Sequence, residues 1–585
     1  MNRPDIISDP SLRFDSFNDG KYLPCKTEGR LPLMGWNSWN AFGSGNNEEF
    51  TRAMADKLIE LGLDKLGYKY VVLDDGCYKP QRVDGKLTHD EVKFKSGFKA
   101  MADFLHDKGL KFGMYNDIGD RLCSGAEVGT HGYEAVDAKS YAEWDIDFIK
   151  VDNCYYLWDN ATFANPENAK YSFAPDIRSI RIERNGFKRT YKATDAFLTE
   201  GPAKIDGDHV TFLGTFDGTG PDASPNGSRS SELIFALDII EKGTYKLSVE
   251  YMSGKEEGRG NWLQIATDSG IVFDDMLEES PEGEFVTKAV VDIDLVVGKN
   301  VIRLMNHRRQ ENTLSSYNTV RSELCKAMPG KDVAFSICEW GKTHPQNWGY
   351  KVGDYWRILN DITFAVGSAE GDFGSCKWED DYTNSITSQY NKCVVMDEFA
   401  GLDKGWNDPD MMVIGMNGLT DDMERTHMSM WCMMNSPLFL GMDLRRVTKG
   451  DRIYNIISNE DLISLNQDAL GIQAKRICTT SPSKDPSKDY IRDNKRVDVL
   501  AKPLSDGSFA LAFYNLDFNT SKDVSVDINL IISKLEDKIS SDVSRAVSFK
   551  VVDLWTKKTS HSDGRFNSGK LPPHGNLTLK IVPIL

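Results

Sequence analysis

The feature that most constrains this chain is a series of short apolar segments that alternate with helical patterns and end on polar residues. The clearest is 147–154, in which the apolar run 148–151 is followed directly by Asp152. A buried parallel strand has this pattern when its last residues emerge into a cleft. In barrels of alternating strands and helices, catalytic groups lie at the C-terminal ends of the strands. We therefore predict that Asp152 is a nucleophile.

The alternation of strand and helix patterns occurs four times before residue 153 and resumes after residue 333. Predicted strands and their polar ends lie in the segments 33–39, 68–75, 111–117, 147–154, 336–340, 356–361, 406–411 and 437–443. Helical periodicity is found in the ranges 48–66, 97–109, 134–145 and 314–328. Eight such strand ends predict a parallel (β/α)8 (TIM) barrel.

Two regions interrupt or follow this alternation with short strands and turn-rich clusters. Residues 173–313 have this character, which predicts an all-β sandwich inserted after strand 4. Residues 475–585 have it again, without a convincing helix, and predict a C-terminal antiparallel β domain. The expected α/β organisation is a lead-in at 1–30, barrel halves at 31–172 and 314–474, the insertion, and the C-terminal domain.

The composition excludes several classes of function. With 585 residues, the chain is expected to form two to four domains. Its net charge of −18 argues against a nucleic acid or an anionic membrane as partner. No apolar run approaches the roughly 20 residues of a membrane span. The segment 1–5 lacks a signal-peptide core, so we expect a cytoplasmic protein, or a secreted one if a leader was removed. Homo-oligomerisation stays open.

Carboxylates close several predicted strands, and aromatic residues accompany them. Carboxylates accept hydrogen bonds from hydroxyl groups and aromatic faces stack on pyranose rings, so the pattern indicates a sugar site. The acids are Asp74, Asp75, Asp117, Asp152, Glu339, Asp361, Asp408 and Asp410, and the aromatics are Trp36, Trp39, Tyr115, Trp340, Trp348 and Trp406. Because no HExxH motif, phosphate loop or Cys/His ligand set occurs, we expect no metal or other cofactor.

Six motifs in order give the sequence a family resemblance. They are Leu33–Trp39, Leu73–Gly76, Lys111–Tyr115, Lys150–Cys154, Cys338–Trp340 and Trp406–Met411. Together they resemble glycoside hydrolase family 27, the α-galactosidase (melibiase) group, over about 31–160 and 314–475 and in the C-terminal β domain. The resemblance implies a (β/α)8 barrel and a retaining mechanism in which the aspartate of the Lys-Val-Asp motif, Asp152, is the nucleophile.

The resemblance also indicates the acid/base, an aspartate four residues after an arginine. Arg357 and Asp361 match that spacing, although the residues between them are less typical, and Asp361 could instead cap a helix. A retaining glycosidase needs two carboxyl groups roughly 5–5.5 Å apart, one attacking the anomeric carbon and one protonating the leaving oxygen. The nucleophile must be ionised, which the nearby Lys150 favours.

Further contacts are implied by resemblance alone. Asp74 and Asp75 would bind the 4- and 6-hydroxyls of galactose, with Trp39 as an apolar wall. Of the two acids that flank Pro409, we favour Asp410 over Asp408 as a ligand. The other predicted site residues are Tyr115, Cys123, Lys150, Cys154, Glu339, Arg357 and Met411. Cys123 and Cys154 follow predicted strand ends, and they could face each other as thiols or as a disulfide.

Two side chains bear on the substrate. In galactosidases of the family a glutamate lies near the 2-hydroxyl, where N-acetylgalactosaminidases have a small serine, and Glu339 therefore favours galactose. Asp75 is short, whereas a longer acid would crowd the 6-hydroxymethyl and suit β-L-arabinopyranose. We predict an exo-acting retaining α-galactosidase for oligosaccharides or glycoconjugates. The alternatives are an α-N-acetylgalactosaminidase, a β-L-arabinopyranosidase, or a non-catalytic carbohydrate-binding protein.

The inserted module resembles carbohydrate-binding β-sandwiches through the short phrases 243–245 and 298–302. Tyr251 and Trp262 could form a sugar platform there, although each is more often a core residue. Because the insertion follows the fourth strand, we expect the module to stand on the catalytic face of the barrel and to shape the leaving-group side of the cleft.

Overall fold

The computed structural model describes residues 7, 9–13, 29–156, 173–199, 201–215, 230–253, 260–368, 370–380 and 384–585. The first half of the barrel contains the strands β1 (Met34–Asn37), β2 (Tyr70–Val72), β3 (Lys111–Asp117) and β4 (Phe148–Asp152). The helices are α1 (Trp39–Phe42), α2 (Glu48–Glu60), α3 (Gly97–Asp107) and α4 (Glu134–Trp144). Each strand pairs in parallel with the next, and β2 and β4 are completely buried, as their apolar sequences predict.

The insertion after β4 contains eleven strands in the described ranges. They are β5 (Asp176–Arg184), β6 (Phe187–Lys192), β7 (Phe197–Leu198), β8 (Lys204–Asp206), β9 (His209–Thr211), β10 (Glu232–Ile239), β11 (Gly243–Met252), β12 (Trp262–Thr267), β13 (Gly270–Met276), β14 (Val286–Leu295) and β15 (Gly298–Met305). They form two antiparallel sheets, β13-β12-β15-β10-β7 and β14-β11-β5-β9-β8, with β6 paired to β5. Tyr251 and Trp262 are fully buried, so neither forms an exposed sugar platform.

The second half of the barrel resumes with α5 (Arg308–Ala327), which begins before the predicted residue 314. Its first residues are polar and give no apolar signal, yet they are buried. The strands that follow are β16 (Ala334–Cys338), β17 (Tyr355–Arg357), β18 (Thr363–Ala365), β19 (Ser375–Cys376), β20 (Trp406–Asp408) and β21 (Leu438–Leu440). The helices are α6 (Ile386–Cys393), α7 (Asp421–Met433), α8 (Arg452–Ile457) and α9 (Glu460–Asn466).

The barrel sheet has the order β20-β17-β16-β4-β3-β2-β1-β21, with parallel pairing between neighbours. A parallel bridge between Met412 and Leu440 joins the chain after β20 to β21 and closes the sheet. The predicted (β/α)8 barrel with an inserted sandwich is therefore confirmed. Because the strands are parallel, their C-terminal residues meet at one rim.

The C-terminal domain is antiparallel, as predicted. Its strands are β22 (Lys475–Thr479), β23 (Val497–Pro503), β24 (Phe509–Asn515), β25 (Ser525–Asp527), β26 (Ser548–Asp553), β27 (Thr559–Ser562), β28 (Arg565–Asn567) and β29 (Asn576–Ile584). The short helices α10 (Ile528–Leu535) and α11 (Ser541–Arg545) escaped prediction, since neither spans enough turns to show a clear period. Most of the predicted lead-in 1–30 lies outside the described residues. Among the described helices, none combines the length and apolarity needed to cross a membrane.

Candidate active site

A cavity of about 210 Å³ opens at the C-terminal ends of the barrel strands. The predicted site residues that line it are Trp39, Asp74, Asp75, Tyr115, Cys123, Lys150, Asp152, Arg357, Asp361, Asp410 and Met411. Asn40, which was not predicted, lines it as well. Trp340 also lines it, although the sequence indicated it only as one of the aromatics near the strand ends and not as a substrate contact. The structure thus brings together side chains from the ends of seven strands or the loops that follow them, and both predicted catalytic aspartates line one cavity.

Asp152 is the last residue of β4 and is almost completely buried. Its Oδ2 accepts a hydrogen bond from Tyr115 Oη (3.3 Å), and its Oδ1 accepts one from the backbone N–H of Asn153 (3.0 Å). Burial raises the pKa of Asp152 to about 6, while Lys150 opposes the rise and Asp361 adds to it. The carboxyl group is therefore held in one orientation and is largely ionised at neutral pH.

Asp361 lies beyond the end of β17, and 42% of its side chain is exposed. Arg357 Nη2 donates to Asp361 Oδ1 (2.8 Å) and forms an ion pair with Asp410 Oδ2 (2.9 Å). The backbone carbonyl of Asp361 accepts a hydrogen bond from Asn384 Nδ2 (2.8 Å), which fixes the loop. Asp361 therefore stands on the open side of the cavity, whereas Asp152 is at its buried side.

Asp74 and Asp75 follow β2 and are both buried. Asp74 Oδ2 accepts hydrogen bonds from Lys150 Nζ (2.9 Å) and from Asn37 Nδ2 (2.8 Å). Asp75 accepts from the backbone N–H (2.7 Å) and the hydroxyl (2.8 Å) of Ser124, and burial raises its pKa. Both carboxyl groups are therefore oriented before any ligand binds, as hydrogen-bond acceptors beside a buried cation.

Asp410 is held with its backbone in the left-handed region, at φ +77°. Its two carboxylate oxygens accept from the backbone N–H groups of Met411 (2.7 Å) and Ile362 (2.9 Å). Such strained positions persist where the surroundings fix them, which is common at functional sites. Asp410 lines this cavity, whereas Asp408 does not.

Cys123 and Cys154 are joined by a disulfide with a Cα–Cα distance of 5.2 Å, which answers the question that the sequence left open. Cys123 lines the cavity and lies 3.3 Å from Tyr115 Oη, whereas Cys154 is buried behind it. The backbone N–H of Cys154 donates to Asp117 Oδ2 (2.6 Å). Free cysteines in the described ranges are Cys77, Cys338, Cys376, Cys393, Cys432 and Cys478.

One group of potential metal ligands occurs in the described part of the chain, formed by Asp117, Cys123, Asp152 and Cys154. Their ligand atoms lie within 4.8 Å of one another. The two sulfur atoms are bonded to each other and are not thiolates, so this set does not suit a soft metal. Burial and the charge of Asp152 raise the pKa of Asp117, which disfavours the presence of two negative charges in this group.

Glu339 does not line the cavity, contrary to the prediction that it contacts substrate. It is fully buried, and its oxygens accept from the backbone N–H of Thr343 (3.0 and 3.1 Å) and from the Thr343 hydroxyl (2.7 Å). Trp340 lines the cavity instead, with its backbone in the left-handed region at φ +57°. The Lys342 ammonium lies 4.4 Å from the Trp340 ring centroid and donates to the Asn153 carbonyl. The motif Cys338–Trp340 gives the order of these residues, but it does not show the turn that decides which of their side chains lines the cavity.

The inserted module reaches this loop through Gln310, near the start of α5. Gln310 is fully buried, and its Nε2 donates to the Thr343 carbonyl (2.9 Å). Its Oε1 accepts from the hydroxyls of Thr215 (3.2 Å) and Ser230 (2.5 Å) in the module. A continuous hydrogen-bonded path therefore runs from the module to the loop that carries Trp340.

Comparison with known proteins identifies the relatives of this chain. A family model described as "Alpha galactosidase A" matches residues 31–174 and 300–468, and one described as "Alpha galactosidase C-terminal beta sandwich domain" matches 494–581. An alpha-galactosidase of Cyamopsis tetragonoloba is 27% identical over 507 residues, which are 86% of this chain and 77% of that protein. Alpha-galactosidase A of Cellvibrio japonicus is 25% identical over 559 residues, which are 95% of this chain and 92% of that protein. The structure of an alpha-galactosidase from Saccharomyces cerevisiae with raffinose matches with a TM-score of 0.58 at 22% identity. The match covers 94% of this chain and 98% of that chain.

Proposed function

The chain belongs to the alpha-galactosidase A group of glycoside hydrolase family 27, and we propose how its own residues carry out the retaining reaction of an α-galactosidase. The observation that supports the assignment is that Asp152 and Asp361 line one cavity, which also contains Asp74, Asp75 and Lys150. Two carboxyl groups in different environments are what a double displacement requires.

In the first step, the ionised Asp152 attacks the anomeric carbon and the bond from that carbon to the leaving oxygen breaks. Asp361 donates its proton to the departing oxygen, and a glycosyl ester of Asp152 forms. In the second step, Asp361 takes a proton from water, whose oxygen attacks the same carbon and releases Asp152. The open position of Asp361 suits this role, because the leaving group and the water both pass on its side.

The substrate that we propose is a terminal α-linked galactose of an oligosaccharide or glycan, removed from the chain end. Asp74 and Asp75 are oriented acceptors for its 4- and 6-hydroxyls, and Trp39 is the apolar wall. With Glu339 buried, Trp340 is the side chain of that loop that limits the space beside the 2-hydroxyl. A bulky indole there favours galactose over its 2-acetamido analogue.

Three chromogenic substrates test this assignment. We expect turnover of p-nitrophenyl α-galactoside, with much weaker activity on the α-N-acetylgalactosaminide and the β-L-arabinopyranoside. Asp152→Asn is the negative control, since it keeps the shape of the side chain and removes the nucleophilic charge. Preference for either of the other two glycosides would reverse the substrate assignment. Galactose binding without turnover of any glycoside would instead indicate a carbohydrate-binding protein.

A further inference from the structure

The two acids that follow β2 are held by different kinds of partner. Asp74 forms an ion pair with Lys150 (2.9 Å) and accepts a hydrogen bond from Asn37. Asp75 has no ion pair among the described residues, and its side chain accepts two hydrogen bonds from Ser124 instead. Both acids line the substrate cavity, whereas Ser124 does not. Ser124 thus contacts a predicted substrate ligand from outside the cavity.

The two hydrogen bonds from Ser124 reach different oxygens of the same carboxyl group. The backbone N–H of Ser124 donates to Asp75 Oδ2 (2.7 Å), and the Ser124 hydroxyl donates to Asp75 Oδ1 (2.8 Å). The torsion that turns an aspartate carboxyl group has a broad, roughly two-fold profile, so a single hydrogen bond leaves the group room to swing. Two bonds on two oxygens fix its plane, and a further lone pair on each oxygen stays open to a ligand.

A compact turn fixes the position of Ser124 itself. The Gly125 N–H donates to the Leu122 carbonyl (2.8 Å), and the Leu122 side chain is fully buried. The residue before Ser124 is Cys123, which the disulfide joins to Cys154 in the loop after β4. Ser124 therefore presents its two donors from a position that is anchored on both sides, as orienting a ligand-binding group requires.

The same hydrogen bonds favour the charge of Asp75. Burial has the largest effect on the pKa of Asp75 and raises it, and the charge of Asp74 raises it further. The N–H and hydroxyl groups of Ser124 and the N–H of Gly76 oppose this rise. Because an ionised carboxylate accepts stronger hydrogen bonds than a neutral carboxyl group, Ser124 supports both the direction and the strength of Asp75 as an acceptor.

We propose that Ser124 is a positioning residue that determines specificity, because its hydroxyl and N–H groups hold the Asp75 carboxyl group ready for the 6-hydroxyl of a terminal galactose. This role rests on the proposed function, in which Asp75 is the acceptor for that hydroxyl. Ser124 acts through Asp75 and does not line the cavity. It therefore changes the discrimination between a galactoside and its 6-deoxy analogue, and it leaves the reaction at the anomeric carbon unaltered.

Ser124→Ala tests this role on p-nitrophenyl α-galactoside and its 6-deoxy analogue, which differ only in the 6-hydroxyl. The variant keeps the backbone hydrogen bond to Asp75 and loses the bond from the hydroxyl. We expect kcat/KM on the galactoside to fall about three- to tenfold, the equivalent of one hydrogen bond. On the 6-deoxy analogue the fall should stay below about twofold. Ser124→Thr retains a hydroxyl and should restore the wild-type ratio of the two values.

The matched control is Ser44→Ala, because Ser44 is also exposed and packs against Gly76, the residue after Asp75, but is not a hydrogen-bond partner of the Asp75 side chain in the described structure. It should leave the ratio of the two kcat/KM values unchanged. The proposal is wrong if Ser124→Ala leaves this ratio unchanged or lowers both values equally, as a purely structural role would do. A ratio that Ser124→Thr does not restore would also contradict it.

Calorimetric binding separates this role from the proposed function. Asp152→Asn should bind galactose more tightly than 6-deoxygalactose, and adding Ser124→Ala should reduce that preference about three- to tenfold. If the wild-type protein cleaves no glycoside, the proposed function fails and this preference still decides the role of Ser124. Turnover of both p-nitrophenyl glycosides with equal kcat/KM would overturn the role of Ser124 alone, and the absence of galactose binding would overturn both.

A crystal structure of Asp152→Asn with galactose decides the question if Ser124→Ala does not fold. A 6-hydroxyl that donates to Asp75, while Asp75 keeps both hydrogen bonds from Ser124, would support the proposal. A 6-hydroxyl bound elsewhere, or an Asp75 carboxyl group turned away from Ser124, would overturn it.

Discussion

Replacing Asp361 with asparagine separates its two effects on the reaction. The variant has no acid/base, so melibiose should be cleaved about 10² to 10⁴ times more slowly. The variant also lacks a negative charge near Asp152, a charge that contributes to the raised pKa of that nucleophile. Removing that charge favours the ionised form, so the pKa of Asp152 should fall. On α-galactosyl fluoride, which needs no proton from Asp361, the acidic limb of kcat/KM should therefore move to lower pH.

The size of that movement can be estimated from the carboxyl spacing that a retaining mechanism requires. Two unit charges roughly 5.5 Å apart, the spacing of a retaining pair, interact by about 3 kcal/mol at an effective dielectric constant near 20. This corresponds to about two pH units, but 42% of the Asp361 side chain is exposed and solvent screens its charge. We therefore expect a downward movement of about one pH unit from the wild-type limb, which lies near the Asp152 pKa of about 6.

The assay uses α-galactosyl fluoride, which keeps the variant measurable without an acid. The pH dependence of kcat/KM reports groups of the free enzyme, so its acidic limb follows Asp152. Azide, a nucleophile that needs no base, should raise kcat and yield α-galactosyl azide. Glu370→Gln removes an exposed carboxylate from the loop between β18 and β19 and serves as the control with an unchanged profile. An acidic limb that stays in place, or equal losses on melibiose and the fluoride, would refute the assigned roles.

Three further variants test the rest of the site. Trp340→Ala should raise the ratio of α-N-acetylgalactosaminide to α-galactoside kcat/KM about tenfold, a typical effect of enlarging a pocket, and an unchanged ratio would argue against its role. Gln310→Ala removes the donor to the Thr343 carbonyl. In the same paired assay, the ratio of α-N-acetylgalactosaminide to α-galactoside kcat/KM should therefore also rise, by a smaller factor than in Trp340→Ala. Replacing Cys123 and Cys154 with alanine opens a disulfide loop with a sequence separation of 31 and should lower the free energy of unfolding by up to about 4 kcal/mol, measured by urea titration.

The architecture of this chain was largely predictable because its strands have strong local patterns. The run 148–151 is apolar and ends on a carboxylate, and the structure places it as a buried strand beside β3 and β16. The start of α5 was missed because residues 308–313 are polar but buried, so that no apolar period marks them. The helices α10 and α11 were missed because they are too short to show a period.

The site was predictable where a strand end fixes the direction of a side chain. Asp152, Lys150 and Arg357 lie on strands, and all three line the cavity as expected. Glu339 and Trp340 lie just after a strand, in a turn with a left-handed residue, and there Trp340 lines the cavity and the predicted Glu339 does not.

The position of the insertion has a consequence for biogenesis. β4 ends at Asp152 and its sheet neighbour β16 begins at Ala334, so the ribosome completes one half of the barrel long before the other. Until β16 has been synthesised, the edge of β4 that faces away from β3 has no strand to pair with. Tyr156 Oη donates to the Asn312 carbonyl (3.0 Å), so the chain leaves and re-enters the barrel at neighbouring points. A folded sandwich thus holds its two ends together and shortens the effective tether between the halves of the barrel.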